Sequence, residues 1–171
     1  MVDEYTSVVY LQVAPTRSQE AATQEPSARI SGAQSSVRDC SQLATYIVLF
    51  DFYDSFHDKV EYFKEIANEL NTARFILINL PGQVGTQYNP NRKPVLNNYY
   101  YAQCLDMLLS HMHERGIVNL MDTHAESSQY SILGFGSGAN IALFYIKEMM
   151  MNDTTTALQS LILVNPFISV D

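Results

Sequence analysis

The chain has 171 residues, 47% of them apolar, and its 18 acidic and 10 basic side chains leave a net charge of −8. This length and apolar content suit a single globular domain, while sparse, scattered Lys and Arg exclude a general nucleic-acid binder, which needs clustered cations to neutralise phosphates. No apolar run is long enough to span a membrane, Met1-Val2-Asp3-Glu4 lacks the basic-then-apolar order of a signal peptide, and Cys40 with Cys104 make neither a disulfide framework nor a zinc site. A cytoplasmic or other intracellular location is the default expectation.

Residues 5–13 are rich in β-branched and aromatic side chains and predict a strand. Over residues 14–42 the composition turns to Ser, Gln, Ala, Thr and Arg, with Pro15 and Pro26 and almost no large apolar residue. Such a segment buries too little surface to order itself, so a flexible polar insertion is expected, with a docking arm that orders on a partner as the alternative. The chain thus divides into an N-terminal strand (1–13), the insertion (14–42) and a core (43–171).

Tyr46-Ile47-Val48-Leu49-Phe50 has the unbroken apolarity of a buried parallel strand. Ser55 with Asp58 resembles a capping pair, and Val60, Phe63, Ile66, Ala67 and Leu70 recur at helical spacing. A strand over 74–80 ends at Pro81-Gly82. Asn97 or Asn98 caps the next helix, whose stripe is Tyr101, Leu105, Leu108 and Met112, with Gly116 placed as its left-handed terminator. The Tyr99-Tyr100-Tyr101 run is read as helix surface and core rather than a stacking platform. Ala139, Ala142, Leu143 and Ile146 mark a further helix, and residues 158–164 are a strand of nearly continuous apolarity. Alternation of strand and helix predicts an α/β fold, a mostly parallel sheet with helices on both faces.

Between two of these elements lies Gly134-Phe135-Gly136-Ser137-Gly138, a glycine-rich turn joining a strand to a helix. Three glycines in five residues are what a strand needs to turn at once into a helix packed against the sheet, whatever the chain does. Gly134, Gly136 and Ala139 also satisfy G-x-G-x-x-A, the dinucleotide-binding fingerprint. Its confirming acid should close the next strand, yet 158–164 runs into Asn165-Pro166-Phe167. The fingerprint also belongs to the first strand of its fold, and earlier strands precede this one.

The same turn resembles the G-x-S-x-G nucleophile elbow of α/β-hydrolases, with Gly136 where the nucleophilic Ser should stand. Tyr46-Ile47-Val48-Leu49-Phe50-Asp51-Phe52-Tyr53-Asp54-Ser55 is similar to the family's strand that ends in a His-Gly oxyanion loop. Phe75-Ile76-Leu77-Ile78-Asn79-Leu80-Pro81-Gly82-Gln83 resembles the next strand, which commonly ends in Asp-x-Pro-Gly. Leu161-Ile162-Leu163-Val164-Asn165-Pro166-Phe167 is similar to the strand after the elbow helix. The resemblance covers about residues 46–171 and implies an α/β-hydrolase-like fold, incomplete, because the family's acid and His lie on later strands.

The departures imply lost catalysis: Gly136 replaces the nucleophile, and Asp51-Phe52 replaces His-Gly in the oxyanion loop. Ser137 sits one position on, where the backbone N–H rather than the side chain serves the site. The expectation is therefore a degenerate hydrolase-like domain acting as a structural or binding module within a larger protein or complex. The alternatives are a serine hydrolase using Ser137 and, third, a dinucleotide-binding domain. No cofactor or metal is expected: His111 and His113, two apart on a helix, point to nearly opposite faces, while His57, placed in the loop after Asp51 and Asp54, and His124, in a polar loop near Asp122 and Glu126, read as solvated histidines. The strand 158–164 wants cover on both faces, from a protein partner or a C-terminal continuation.

Overall fold

The computed structural model describes residues 9–15, 43–87, 97–120, 129–152 and 157–166. The expected insertion falls mostly on residues 16–42, outside the described residues, as do His124, Cys40 and the first residues of the expected N-terminal strand.

Eight elements follow one another: β1 (Val9–Val13), β2 (Ala44–Leu49), α1 (Phe56–Leu70), β3 (Ala73–Asn79), α2 (Asn98–Glu114), β4 (Tyr130–Phe135), α3 (Ser137–Met151) and β5 (Leu158–Val164). The strands form one sheet in the order β1-β3-β2-β4-β5, with β1 antiparallel to β3 and every other pair parallel. The expected α/β architecture is present.

Local signals set the helix ends. Ser55 accepts a hydrogen bond from the His57 N–H and caps α1, and Asn97 does the same for α2 through the Tyr100 N–H. At the end of α2, Gly116 takes φ 67° while its N–H donates to His113 O and the Ile117 N–H donates to Met112 O, the paired bonds of a Schellman terminus. Two sequence expectations are corrected here. Leu70 leaves the buried stripe of α1 and is exposed, because it closes the helix just before Asn71 turns left-handed at φ 52°. His57 lies inside α1 rather than in the preceding loop, since Ser55 starts the helix earlier.

Successive strand residues point to opposite faces, and two cores result. On one side Ile47, Leu49, Ile76, Ile78 and Ile132 pack against Tyr101, Leu105, Leu109 and Met112 of α2 and Ile141, Ala142 and Tyr145 of α3. On the other, Val48, Phe50, Phe75 and Leu77 pack against Phe56, Phe63 and Ala67 of α1. Helices therefore cover both faces. Among the described residues, no helix is long and apolar enough to cross a membrane.

Candidate functional site

The sheet order places a reversal between β2 and β4: from β2 the chain moves outward to β3, then crosses back over β2 to β4. In open α/β sheets, ligands bind in the crevice at the carboxyl ends of the strands flanking such a reversal. Asp51 and Phe52 follow β2, and Gly136 and Ser137 follow β4, so the switch point brings together the two segments singled out from sequence.

Close packing explains the glycines. A Cβ on Gly134 would lie 2.6 Å from the Ala139 Cα, and one on Gly138 would lie 2.5 Å from Leu49 O and 2.7 Å from Phe50 O. Both positions must stay bare for α3 to start against the ends of β4 and β2. Gly136 is held at φ 53°, ψ −120°, with its N–H donating to Val164 O at 2.9 Å. Gly136 thus stands at the apex of a tight strand-to-helix turn, in a positive-φ conformation that glycine adopts readily.

A side chain at 136 would also meet an occupied space: its Cβ would overlap Asp51 Oδ2 and come within 2.8 Å of Asp51 Cγ. The carboxylate is fixed there by two donors. Ser137 Oγ–H donates to Asp51 Oδ1 at 2.7 Å, and the Phe52 N–H reaches both Asp51 Oδ1 at 2.7 Å and Ser137 Oγ at 2.9 Å. Gly136 offers α3 no side-chain cap. The Asp51 carboxylate, bonded to the helix's first side chain, instead puts a negative charge at that end, where the helix dipole favours it.

Behind Asp51 a buried amide frame joins the loop after β2 to the loop after β3. Asn79, fully buried, accepts the Phe56 N–H at 3.0 Å and donates to Ser55 Oγ at 3.1 Å and Val84 O at 2.8 Å. Gln83 accepts the Leu80 N–H at 2.6 Å and donates to Asp51 O at 2.8 Å and Asp54 O at 3.3 Å. Sequence reading gave neither amide a role. The signal that could have found them is Asn79-Leu80-Pro81-Gly82-Gln83, where two amides bracket a turn and each can serve donors and acceptors at once.

The Phe52 ring lies tilted against that of Tyr101, with centroids 4.8 Å apart. The described histidines stand apart from the serine. His57 is exposed, its ring tilted against Phe56 and beside Gly85; His111 is exposed, 4.0 Å from Glu114; and His113 accepts the Leu120 N–H through Nδ1 at 3.3 Å. The described partners of the Ser137 hydroxyl are Asp51 and Phe52. Among the described residues no three His, Cys, Asp or Glu side chains cluster as metal ligands. Away from the site, burial pushes the Cys104 thiol up to about 11, a hydrogen bond from Tyr100 offsetting part of the effect, and burial beside Tyr130 and Asp106 raises the Tyr145 phenol.

No protein-family model and no curated protein sequence matches the chain. Solved structures do share its fold. A probable hydrolytic enzyme from Pseudomonas aeruginosa PAO1 superposes with a TM-score of 0.57 at 15% identity, over 95% of this chain and 38% of that one. A proposed hydrolase from Agrobacterium vitis S4 gives 0.58 at 15% identity, over 94% of this chain and 47% of that one. The likeness is one of fold, and the chain spans less than half the length of either protein.

Proposed function

We propose that the chain is a catalytically inert α/β-hydrolase-like domain that works as a structural or protein-binding module within a larger protein or complex. The observation that carries this reading is the Asp51 carboxylate standing where the elbow's side chain would project over Gly136. Covalent acyl transfer needs a nucleophile, a base within reach and donors aimed at the oxyanion. Here the nucleophile's position is glycine, no imidazole among the described residues bonds Ser137, and an anion fills the space where a nucleophile's side chain would project. The same carboxylate argues against the dinucleotide reading, since it would repel a pyrophosphate from the α3 N-terminus.

One observation favours a second reading, a hydrolase using Ser137: its hydroxyl donates directly to a carboxylate. That contact also fits a structural role, because Oγ simultaneously accepts the Phe52 N–H and so ties the two loops together. A fluorophosphonate probe separates the readings. The inert domain stays unlabelled, whereas stoichiometric modification of Ser137, lost in Ser137→Ala, would establish the hydrolase. The binding role is supported by β5, an edge strand none of whose residues is fully buried.

A further inference from the structure

The segment that follows α2 is tied down by a run of hydrogen bonds that begins on a histidine. The Leu120 N–H donates to His113 Nδ1 at 3.3 Å, the Ala157 N–H donates to Leu120 O at 3.0 Å, and the Tyr130 N–H donates to Ala157 O at 3.1 Å. The run joins the last turn of α2 to the residue before β5 and to the first residue of β4. It lies at the amino ends of these strands, the opposite end of the sheet from Asp51 and Ser137, and it closes within the chain itself.

The strap so formed, residues 117–120, carries apolar side chains onto the core: Val118 is buried, and Ile117 and Leu120 are half-buried against the same cluster. Its first residue is fastened by bonds that keep their donors and acceptors at any ordinary pH. The Ile117 N–H donates to Met112 O at 2.8 Å, and Arg74 Nη2 donates to Ile117 O at 2.6 Å. The bond at Leu120 differs, because its acceptor titrates. An imidazole nitrogen accepts only while unprotonated, and in the cation both ring nitrogens are donors. The contact therefore requires a neutral His113 with its proton on Nε2. Protonation would set one N–H against another and leave the Leu120 amide without its acceptor.

The surroundings pull the other way. His113 is half-buried in the last turn of α2, where the helix dipole favours a cation. On α2 its charged and titratable neighbours are Asp106, Arg115 and the pair His111–Glu114, at 4.0 Å. The packed helix α3 brings Tyr145, Glu148 and Lys147, the last lying over the Phe144 ring. From the sheet come Tyr130 of β4 and Arg74 of β3, whose guanidinium also donates to Thr45 Oγ1, while β5 has no ionisable group. The helix end invites the charge and the strap opposes it, so within the range where imidazole titrates, roughly pH 5 to 8, charged ring and closed strap exclude one another.

We propose that His113 is a proton-operated clasp. Neutral, it holds Leu120 and, through Leu120, the start of β5; protonated, it lets the end of the strap go. The clasp is closed at about pH 8 and opens as pH falls toward about 5. This device goes beyond the reading of the chain as a binding module and holds whether or not that reading does.

Amide hydrogen exchange on the whole chain tests it, with protection taken relative to an unstructured peptide at the same pH so that the intrinsic pH dependence cancels. Between about pH 8 and about pH 5, protection at Leu120 should fall at least about tenfold, the worth of one lost hydrogen bond. Ala157 should follow by a smaller factor, and Ile76, sealed in the sheet, should hold. Asn carries an acceptor oxygen at the same remove from the backbone as Nδ1 and does not titrate. In His113→Asn, protection at Leu120 should therefore be equal at both pH values, with the other histidines common to both chains. Should that variant fold poorly, nitrogen-15 shifts of the native ring give a second reading, with the proton on Nε2 at about pH 8. Unchanged protection at Leu120 in the native chain, a fall at Ile76 as large as at Leu120, an equal fall in His113→Asn, or a neutral ring protonated at Nδ1 overturns the proposal.

Discussion

The Ser137 hydroxyl donates a 2.7 Å hydrogen bond to the Asp51 carboxylate across 86 positions of sequence, and so ties the start of α3 to the loop after β2. Asp51 thereby takes the room that the side chain of residue 136 would need. The bare glycine at 136 and the carboxylate beside it are two sides of one packing arrangement, and the consequences are measurable.

Restoring a serine at the apex should harm the fold and yield no enzyme. Gly136→Ser places a side chain at positive φ, at a cost of about 1–3 kcal/mol, and drives its Cβ into Asp51. Urea denaturation should show a destabilisation of about 3 kcal/mol, the strain and the clash together. The double variant Gly136→Ser, Asp51→Gly should lose less than the two single variants summed, because removing the carboxylate relieves the clash, while the backbone strain and the lost Ser137 and Phe52 hydrogen bonds remain. Strict additivity of the two single effects would contradict the geometry.

Ser137→Ala should cost stability and nothing else. The substitution removes the donor to a half-buried carboxylate and the acceptor of the Phe52 N–H, a loss of about 1–3 kcal/mol by the usual worth of bonds to charged groups. Any background ester hydrolysis should be unchanged, read with a chromogenic ester beside the denaturation curve. A drop in hydrolysis without a drop in stability would point to chemistry at this serine.

The amide frame should be among the least tolerant polar positions. Asn79→Ala removes the partner of the Phe56 N–H and of Val84 O, at about 1–3 kcal/mol for each group left without water or a partner, while Ser55 Oγ keeps the His57 N–H. A loss above about 2 kcal/mol is expected. Asn79→Asp keeps the acceptor but sets an acceptor oxygen against Val84 O where the amide donated, and buries a carboxyl, so it should be destabilising as well, and more so at pH 7 than at pH 5. Denaturation midpoints at the two pH values check the sign.

Cys104 supplies an alkaline limb to stability. Its folded-state pKa is raised, from 9.0 to about 11, so the stabilisation it brings as a neutral thiol is complete below pH 9 and is lost as pH rises toward 11. Thermal melts should therefore fall more steeply between pH 9 and 11 in the native chain than in Cys104→Ala. The raised Tyr145 phenol contributes a limb of the same sign to both proteins, so the difference between the two curves reports the thiol. Parallel curves would place Cys104 in water.

Sequence by itself determined the order of elements, the cap at Ser55, the pair Asn97-Asn98 within which the α2 cap falls, the Gly116 terminator and the glycine turn that joins β4 to α3. These features are local: a cap, a terminator and an amphipathic stripe are each decided within a turn or two of chain, by hydrogen bonds and apolar spacing that the residues carry with them. It also determined that residue 136 has no nucleophile, since that is a matter of identity. Only the tertiary structure decided that Asp51 stands over Gly136, that Asn79 and Gln83 brace the loops around it, and that Ile162 is exposed while Val48, in the same register row of the sheet, is sealed. Each of these is a contact, or a missing contact, between segments tens of residues apart. Strand order and the hand of the crossovers place such segments together, and local propensity carries no information about either.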